Sequence, residues 1–358
     1  MKFKKLDITS IIAKYPSVLT TKGTYDSERI FQFRSLNDCS VLNDYLLNGK
    51  FAYHYFPFKL VLTDLKQKHI YVLFDEKKIY REEGEFYLIS KMKENVLRYS
   101  PSEKVYVSEI SGSEIFRYQK PKLNELFFYK NFIIEAEMFH KKQNNWLKCI
   151  EPSTGNEKWR LDFEWQIVRC EAYQHLLILD YNHYELRTDK GYEDQMNWEN
   201  PIKYTIAINA ETGDEAWRHN FRYNTIDYEN GLVLSGGHTA KSVDMATGKL
   251  TRDVTIIPED LYGYRLRFSD EEGFYYIHHR GSFGKISKTS GNVLWEFDLL
   301  DEQGAKRKLT DWLLLGNGKL VLSTLPNHPN GDFTCIFDPE ENMEYSNIID
   351  GKRVKPLE

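Results

Sequence analysis

Apolar and polar positions follow a recurring order along this chain. An aliphatic residue is followed by a short polar stretch, a glycine five residues after the aliphatic one, and an aromatic four residues after the glycine. Ile150-Glu-Pro-Ser-Thr-Gly155-Asn-Glu-Lys-Trp159 is matched by Ile208-Asn-Ala-Glu-Thr-Gly213-Asp-Glu-Ala-Trp217 and by Ile286-Ser-Lys-Thr-Ser-Gly291-Asn-Val-Leu-Trp295. Val243-Asp-Met-Ala-Thr-Gly248 keeps the front half and has Arg252 in the aromatic slot. Weaker copies run from Val107 to Phe116 around Gly112, from Leu62 to Tyr71 with Gln67 in the glycine slot, and from Ile336 to Tyr345 with Glu341 there.

Thr-Gly or Ser-Gly between two extended apolar runs supplies the positive φ of a tight hairpin, which glycine adopts without a Cβ clash. Each copy therefore predicts strand, turn, strand. Two further strand-like runs fit between copies, as in Asp162 to Tyr173 and His175 to Tyr181, or Asn224 to Glu229 and Gly231 to Ser235. Four strands per repeat, at a spacing of about 45 residues, is the unit of a propeller blade. Helical repeats would need a 3.6-residue period, which these segments lack. The expected fold is all-β: a single β-propeller of about seven four-stranded antiparallel blades, with six to eight allowed. Residues 1–45 are expected to form an N-terminal strap, with Ser10 to Val18 a short helix or irregular segment and Glu28 to Phe33 a strand closing the ring. Residues 46–358 would form the propeller.

These copies resemble the repeats of the pyrroloquinoline-quinone-like propellers, whose blades carry Ala-x-Asp-x-x-Thr-Gly-x-x-x-Trp. The resemblance is good over roughly residues 100 to 300 and faint outside. It implies that Trp159, Trp217 and Trp295 dock neighbouring blades, with the glycines (Gly112, Gly155, Gly213, Gly248, Gly291) allowing the close approach. It also implies two functional branches. A quinone-dependent dehydrogenase would hold the quinone and a calcium ion in a central channel, but such enzymes are longer, exported and often carry an adjacent cysteine pair. An outer-membrane assembly lipoprotein would need an export signal and a lipid-bearing cysteine.

Composition narrows the partners. A net charge of -5 with 28% charged residues offers no basic field for phosphates, so neither nucleic acid nor an anionic membrane is expected. The amino terminus breaks its apolar run at Asp7, Thr9, Ser10 and Lys14, and no stretch approaches a membrane span. Cys39, Cys149, Cys170 and Cys335 have no metal-like spacing and are expected as buried free thiols in a reducing cytoplasm.

Other groups invite chemistry and have plainer readings. His278 and His279 point to opposite faces of a strand, and His175 and His183 lack a third ligand. Gly236-Gly237-His238 reads as a hairpin turn because no helix follows it. Glu259-Asp260 and Asp270-Glu271-Glu272 read as solvated loops.

In a four-stranded blade the A-to-B and C-to-D turns share one face, and the B-to-C and D-to-A connections the other. The long connections, Tyr181 to Asn200, Leu325 to Asp332, Asp253 to Tyr264 and Asp298 to Leu309, all belong to the second group. Loops of that length are usually functional or disordered. The first carries Tyr184, Arg187, Tyr192 and Trp198, and the others Tyr262, Tyr264, Arg307 and His328, types that favour interfaces or that pin a loop onto its own blade. The expected function is a non-catalytic, cytoplasmic scaffold for a protein partner, with no cofactor. One concrete version is an immunity-type protein that caps a bacterial toxin.

Overall fold

A computed structural model of the chain describes side chains over most of residues 30–47, 133–184 and 201–354, and describes the remaining strands by their backbone pairing. Apart from one short 3-10 turn, Glu340–Tyr345, the described elements are all strands. They form eight successive antiparallel sheets: sheet 1 from residues 10–48, sheet 2 from 51–83, sheet 3 from 87–119, sheet 4 from 125–165, sheet 5 from 167–219, sheet 6 from 225–255, sheet 7 from 264–298 and sheet 8 from 309–337. Within each, strands A to D follow chain order. The exception is sheet 8, whose fourth strand is Phe3–Leu6, paired antiparallel with Thr334–Phe337.

Strand position explains the two kinds of apolar pattern. Middle strands such as Leu176–His183 and Ser282–Ser287 are covered on both faces and read as nearly unbroken buried runs. The outer strand Glu157–Trp165 alternates instead, with Trp159, Leu161, Phe163 and Trp165 turned inward and Arg160, Asp162 and Glu164 exposed. That strand continues through Trp165, so strand A of sheet 5 begins at Ile167 rather than near Asp162.

The glycine-slot hairpins share one hydrogen-bonded turn. The amides of Gly155, Gly213, Gly248 and Gly291 donate to the carbonyls of Glu151, Asn209, Asp244 and Ser287, four residues back, at 2.8 to 3.1 Å. All four glycines have positive φ, from +71° to +82°. The hydroxyl before the glycine closes the turn: Thr154, Thr212, Thr247 and Ser290 each accept from the amide just after it. A bulge follows, leaving Lys158, Ala216 and Leu294 as extra residues and setting the tryptophan opposite Cys149, Ala207 and Lys285 respectively.

Sheet 1 carries the same turn without a glycine. Cys39 stands in the slot at φ +62°, its amide donating to Ser35 while Asp38 accepts from the amide of Ser40. Residues 10–48 are thus four paired strands, where a strap was expected. Glu28–Arg34 lies inside this sheet between Val18–Lys22 and Val41–Asn48, so the pairing with the last sheet falls to Phe3–Leu6. At the other end, Ile336 to Tyr345 is no hairpin: Glu341 lies in the 3-10 turn. The chain then adds Ile348–Ile349 to the outer edge of sheet 7, followed by Lys352–Arg353. The sheets number eight against the seven repeats read from sequence. Gly112 and Gln67 lie outside the described residues.

Two compact units divide the chain, one of residues 1–88, 237–240 and 254–358, the other of residues 89–236 and 241–253. In the second, Trp159 crosses from sheet 4 to the turn of sheet 5, its indole N–H donating to the Ala210 carbonyl at 3.1 Å. Trp217 repeats this towards sheet 6, donating to Met245 at 2.9 Å. Both carbonyls sit three residues before the turn glycine, and the indoles lie against that glycine. A Cβ on Gly213 would meet Trp159 at 2.9 Å, and one on Gly248 would meet Trp217 at 2.3 Å. Buried Leu147, Cys149, Leu177 and Ile206 fill the space between sheets 4 and 5.

In the first unit the device changes. The backbone of Thr255, rather than an indole, lies against Gly291, and Ile257 exchanges hydrogen bonds with Gly291 and Val293. Trp295 keeps its register but is covered by Ile349 and an aromatic cluster of Tyr275, Phe283 and Phe297. All four cysteines are free and buried, and burial pushes the thiols of Cys149 and Cys335 up to about 11 and about 12.

Gly248→Ala is expected to cost about 2–4 kcal/mol, combining a left-handed backbone penalty with overpacking against the indole. In a Trp217→Ala background the same change should cost only about 1 kcal/mol, because the backbone penalty alone remains. Urea unfolding of the four proteins in this cycle measures both costs, and equal costs in the two backgrounds would mean that the indole does not press on the turn.

Candidate functional site

The long connections leave the same strand ends of their own sheets. Sheet 5 runs from His183 to Ile202 between strands B and C, and sheet 8 from Thr324 to Thr334. The D-to-A connections run from Thr255 to Tyr264 and from Asp298 to Leu309. In sheet 6 the B-to-C connection shrinks to Gly237 and His238, the hairpin expected there.

Of the residues expected at an interface, Arg187, Tyr192, Trp198, Tyr262 and His328 lie outside the described residues. The other three are buried, and of the two readings left open by the sequence, interface or self-packing, Tyr184 follows the second. Tyr184 is buried; its hydroxyl donates to Gln166 and its ring stands edge-on to Trp165, so it pins the start of the long loop to its own sheet. Tyr264 is buried on sheet 7, its hydroxyl accepting from the Gly237 amide and donating to the Thr239 carbonyl. Arg307 is buried too, its amide bonded to Leu299.

Where the long loop leaves sheet 5, the structure assembles a charged group that sequence reasoning missed. Asp180 sits in the middle strand with no exposed surface. Its Oδ2 accepts from Arg222 Nε at 2.7 Å and from Arg169 Nε and Nη2 at 3.4 and 3.3 Å. Arg169 also lies 4.2 Å from the centre of the Tyr223 ring and donates to the carbonyls of Tyr223 and Asn224. Thr205 and Ser235 hold the carbonyls of Phe221 and Arg222. Four successive carbonyls of the connection between sheets 5 and 6 are thus tied down, presenting Arg222 from a fixed backbone. The signal available in sequence was a lone carboxylate inside an apolar run, Leu-Leu-Ile-Leu-Asp180, which is rarely buried unless paired.

The remaining candidates serve the scaffold. His175 and His183 flank the two ends of strand Leu176–His183, roughly 25 Å apart at the usual rise, so they share no ligand. His278 is buried at the end of its strand, and His279 lies outside the described residues. Glu259 and Asp260 are likewise outside. Asp270 and Glu272, expected as solvated carboxylates, both grip the buried Lys285, at 2.9 and 2.6 Å. Asp270 also caps its own turn, accepting from the amides of Glu272 and Gly273 and from the Tyr275 hydroxyl.

Burial alone would raise the Asp270 carboxyl, but the bonds from Lys285, Tyr275 and Gly273 outweigh it and hold it below the usual carboxylate range. A carboxyl lowered by folding stabilises the native state above its unfolded value, near pH 4, and loses that contribution as pH falls through the folded value. Asp270→Asn is therefore expected to cost about 1–2 kcal/mol at neutral pH. The deficit should shrink as unfolding is measured at pH values falling below about 4, and a deficit unchanged down to pH 2 would contradict the assignment.

No protein-family model matches the chain, and no curated protein sequence matches it. Solved structures do. The computationally designed Ika8 protein aligns over 94% of this chain and 98% of its own, with a TM-score of 0.54 at 13% identity. Sqt1 of Saccharomyces cerevisiae aligns over 94% and 99%, with a TM-score of 0.51 at 11% identity. BamB from Moraxella catarrhalis aligns over 94% and 96%, with a TM-score of 0.49 at 10% identity. At such identities the likeness is one of fold: the chain is a nearly all-β protein similar in architecture to propeller proteins.

Proposed function

We propose that this chain is a non-catalytic binding scaffold, a propeller of eight blades with pyrroloquinoline-quinone-like repeats, that holds a protein partner at the strand ends bearing its long loops. The distribution of connections carries this reading. The described C-to-D turns repeat one short hydrogen-bonded form, whereas the chain between His183 and Ile202, or between Thr324 and Thr334, exceeds what strand linkage needs. Completion of the last sheet by Phe3–Leu6 is the pairing that would shut a ring of blades and remove exposed sheet edges.

The described ionisable groups favour a scaffold over an enzyme, since Asp270, Glu272 and Lys285 brace a hairpin and Asp180 braces a connection. Glu296, raised by burial, accepts a hydrogen bond from the enclosed Tyr276. Four buried free thiols suit a reducing cytoplasm. Partner binding by a loop rich in tyrosine and tryptophan would be dominated by those side chains.

Partner capture with the wild-type chain tests this against two variants, Tyr192→Ala/Trp198→Ala in the long loop and Asn156→Ala/Asp214→Ala in the short turns at the opposite strand ends. The loop variant is expected to weaken capture by about 2 kcal/mol or more, with folding intact, and the turn variant to leave it unchanged. Loss only in the turn variant would move the partner to the other strand ends. Reconstitution with pyrroloquinoline quinone and calcium should yield neither a stoichiometric chromophore nor dye reduction, and either would replace the scaffold with a dehydrogenase.

A further inference from the structure

The Asp180 group is unevenly balanced. Two guanidinium groups share one oxygen of a buried carboxylate, with Glu171 a second carboxylate near Tyr223, and both cations reach solvent, Arg169 with 36% and Arg222 with 40% of the side chain exposed. The buried carboxylate takes all three of their hydrogen bonds on one oxygen, while its Oδ1 is enclosed and has no hydrogen-bond partner among the described residues. Arg169 is used up on structure, bonded to Asp180, Tyr223 and Asn224. Arg222 gives only Nε to Asp180, so among the described residues its two terminal nitrogens remain without a protein acceptor.

Two like charges side by side repel, and a solvent-facing arginine pair serving only to fix a turn would not need the second guanidinium, since Arg169 alone ties both carbonyls. Asp180 instead holds Arg222 by Nε, which leaves the terminal fork on a partly exposed side chain without a described acceptor. A planar fork of parallel N–H groups fits the two oxygens of a carboxylate, and pre-orientation lowers the entropy lost on binding.

We propose that Arg222, positioned by Asp180 and supported by Arg169, is a binding site for a carboxylate, supplied by an acidic side chain of the protein partner. This deepens the scaffold reading and rests on it for the source of the carboxylate. With Asp180 and Glu171 already beside the two arginines, the surroundings suit a singly charged carboxylate better than a phosphate dianion.

The test follows the arginine Nε–H resonances of the full chain during titration with sodium acetate, a tetraglutamate peptide and inorganic phosphate, each at constant ionic strength. Saturable shifts at Arg222 and Arg169 with acetate and the peptide are expected, weaker with phosphate. Arg222→Gln should weaken peptide binding roughly tenfold in protein that stays folded at the titration temperature, with a lowered unfolding midpoint because the enclosed Asp180 loses its nearest partner, and Arg222→Lys, which keeps the charge but loses the fork, should fall between. Absence of saturation, a preference for phosphate, or an Arg222→Gln protein that binds the peptide as before would each overturn the assignment. The two readings fail separately. A captured partner that depends on Tyr192 and Trp198 but not on Arg222 leaves the scaffold and removes the site. Peptide binding that requires Arg222, with no partner sensitive to either loop, leaves the site and removes the scaffold.

Discussion

The contact of an indole with the glycine turn of the following sheet is what the described architecture depends on. Trp159 lies over Gly213 and Trp217 over Gly248, each indole also donating to a carbonyl three residues before the glycine. One residue thereby supplies a large buried area and a directed hydrogen bond, and removes the need for a separate inter-sheet polar contact. The glycine is required twice over, once by its left-handed backbone and once by the absence of a Cβ where the indole sits.

This device explains where the chain can depart from its repeat. At Gly291 the place of the ring is taken by the main chain of Thr255, and Ile257 pairs with Asn292 as a short parallel bridge. At Trp295 the ring is present, but the next hairpin has become a 3-10 turn, and Ile348–Ile349 adds a strand over it. Trp159 and Trp217 thus meet a glycine turn and Trp295 an added strand, while the bulge that aims all three is kept.

The described charges of the interior hold backbone in place. Lys285 is closed off by Asp270 and Glu272 across a hairpin, and Arg169 ties down a connection through two carbonyls. Arg222 differs in that its backbone carbonyl is held by Ser235 and its Nε by Asp180, while its two terminal nitrogens have no acceptor among the described residues.

The sequence by itself determined the strand-turn-strand unit, the positions of Gly155, Gly213, Gly248 and Gly291, and the grouping of long connections at one strand end. These depend on local backbone geometry, which a Thr-Gly pair and alternating apolar residues specify within ten residues. Sheet 1 escaped notice because Cys39 takes a positive φ with no glycine to mark it, its turn held by Ser35 and Asp38. The pairing of Phe3–Leu6 with Thr334–Phe337 spans almost the whole chain, and nothing local encodes a partner so distant. Tyr184, Tyr264 and Arg307 have the residue types of an interface, and only packing against Trp165, Gly237 and Leu299 decided that they face inward. The Arg169, Asp180 and Arg222 group was likewise set by tertiary structure, because two arginines 53 residues apart share a carboxylate only when the fold brings them to it.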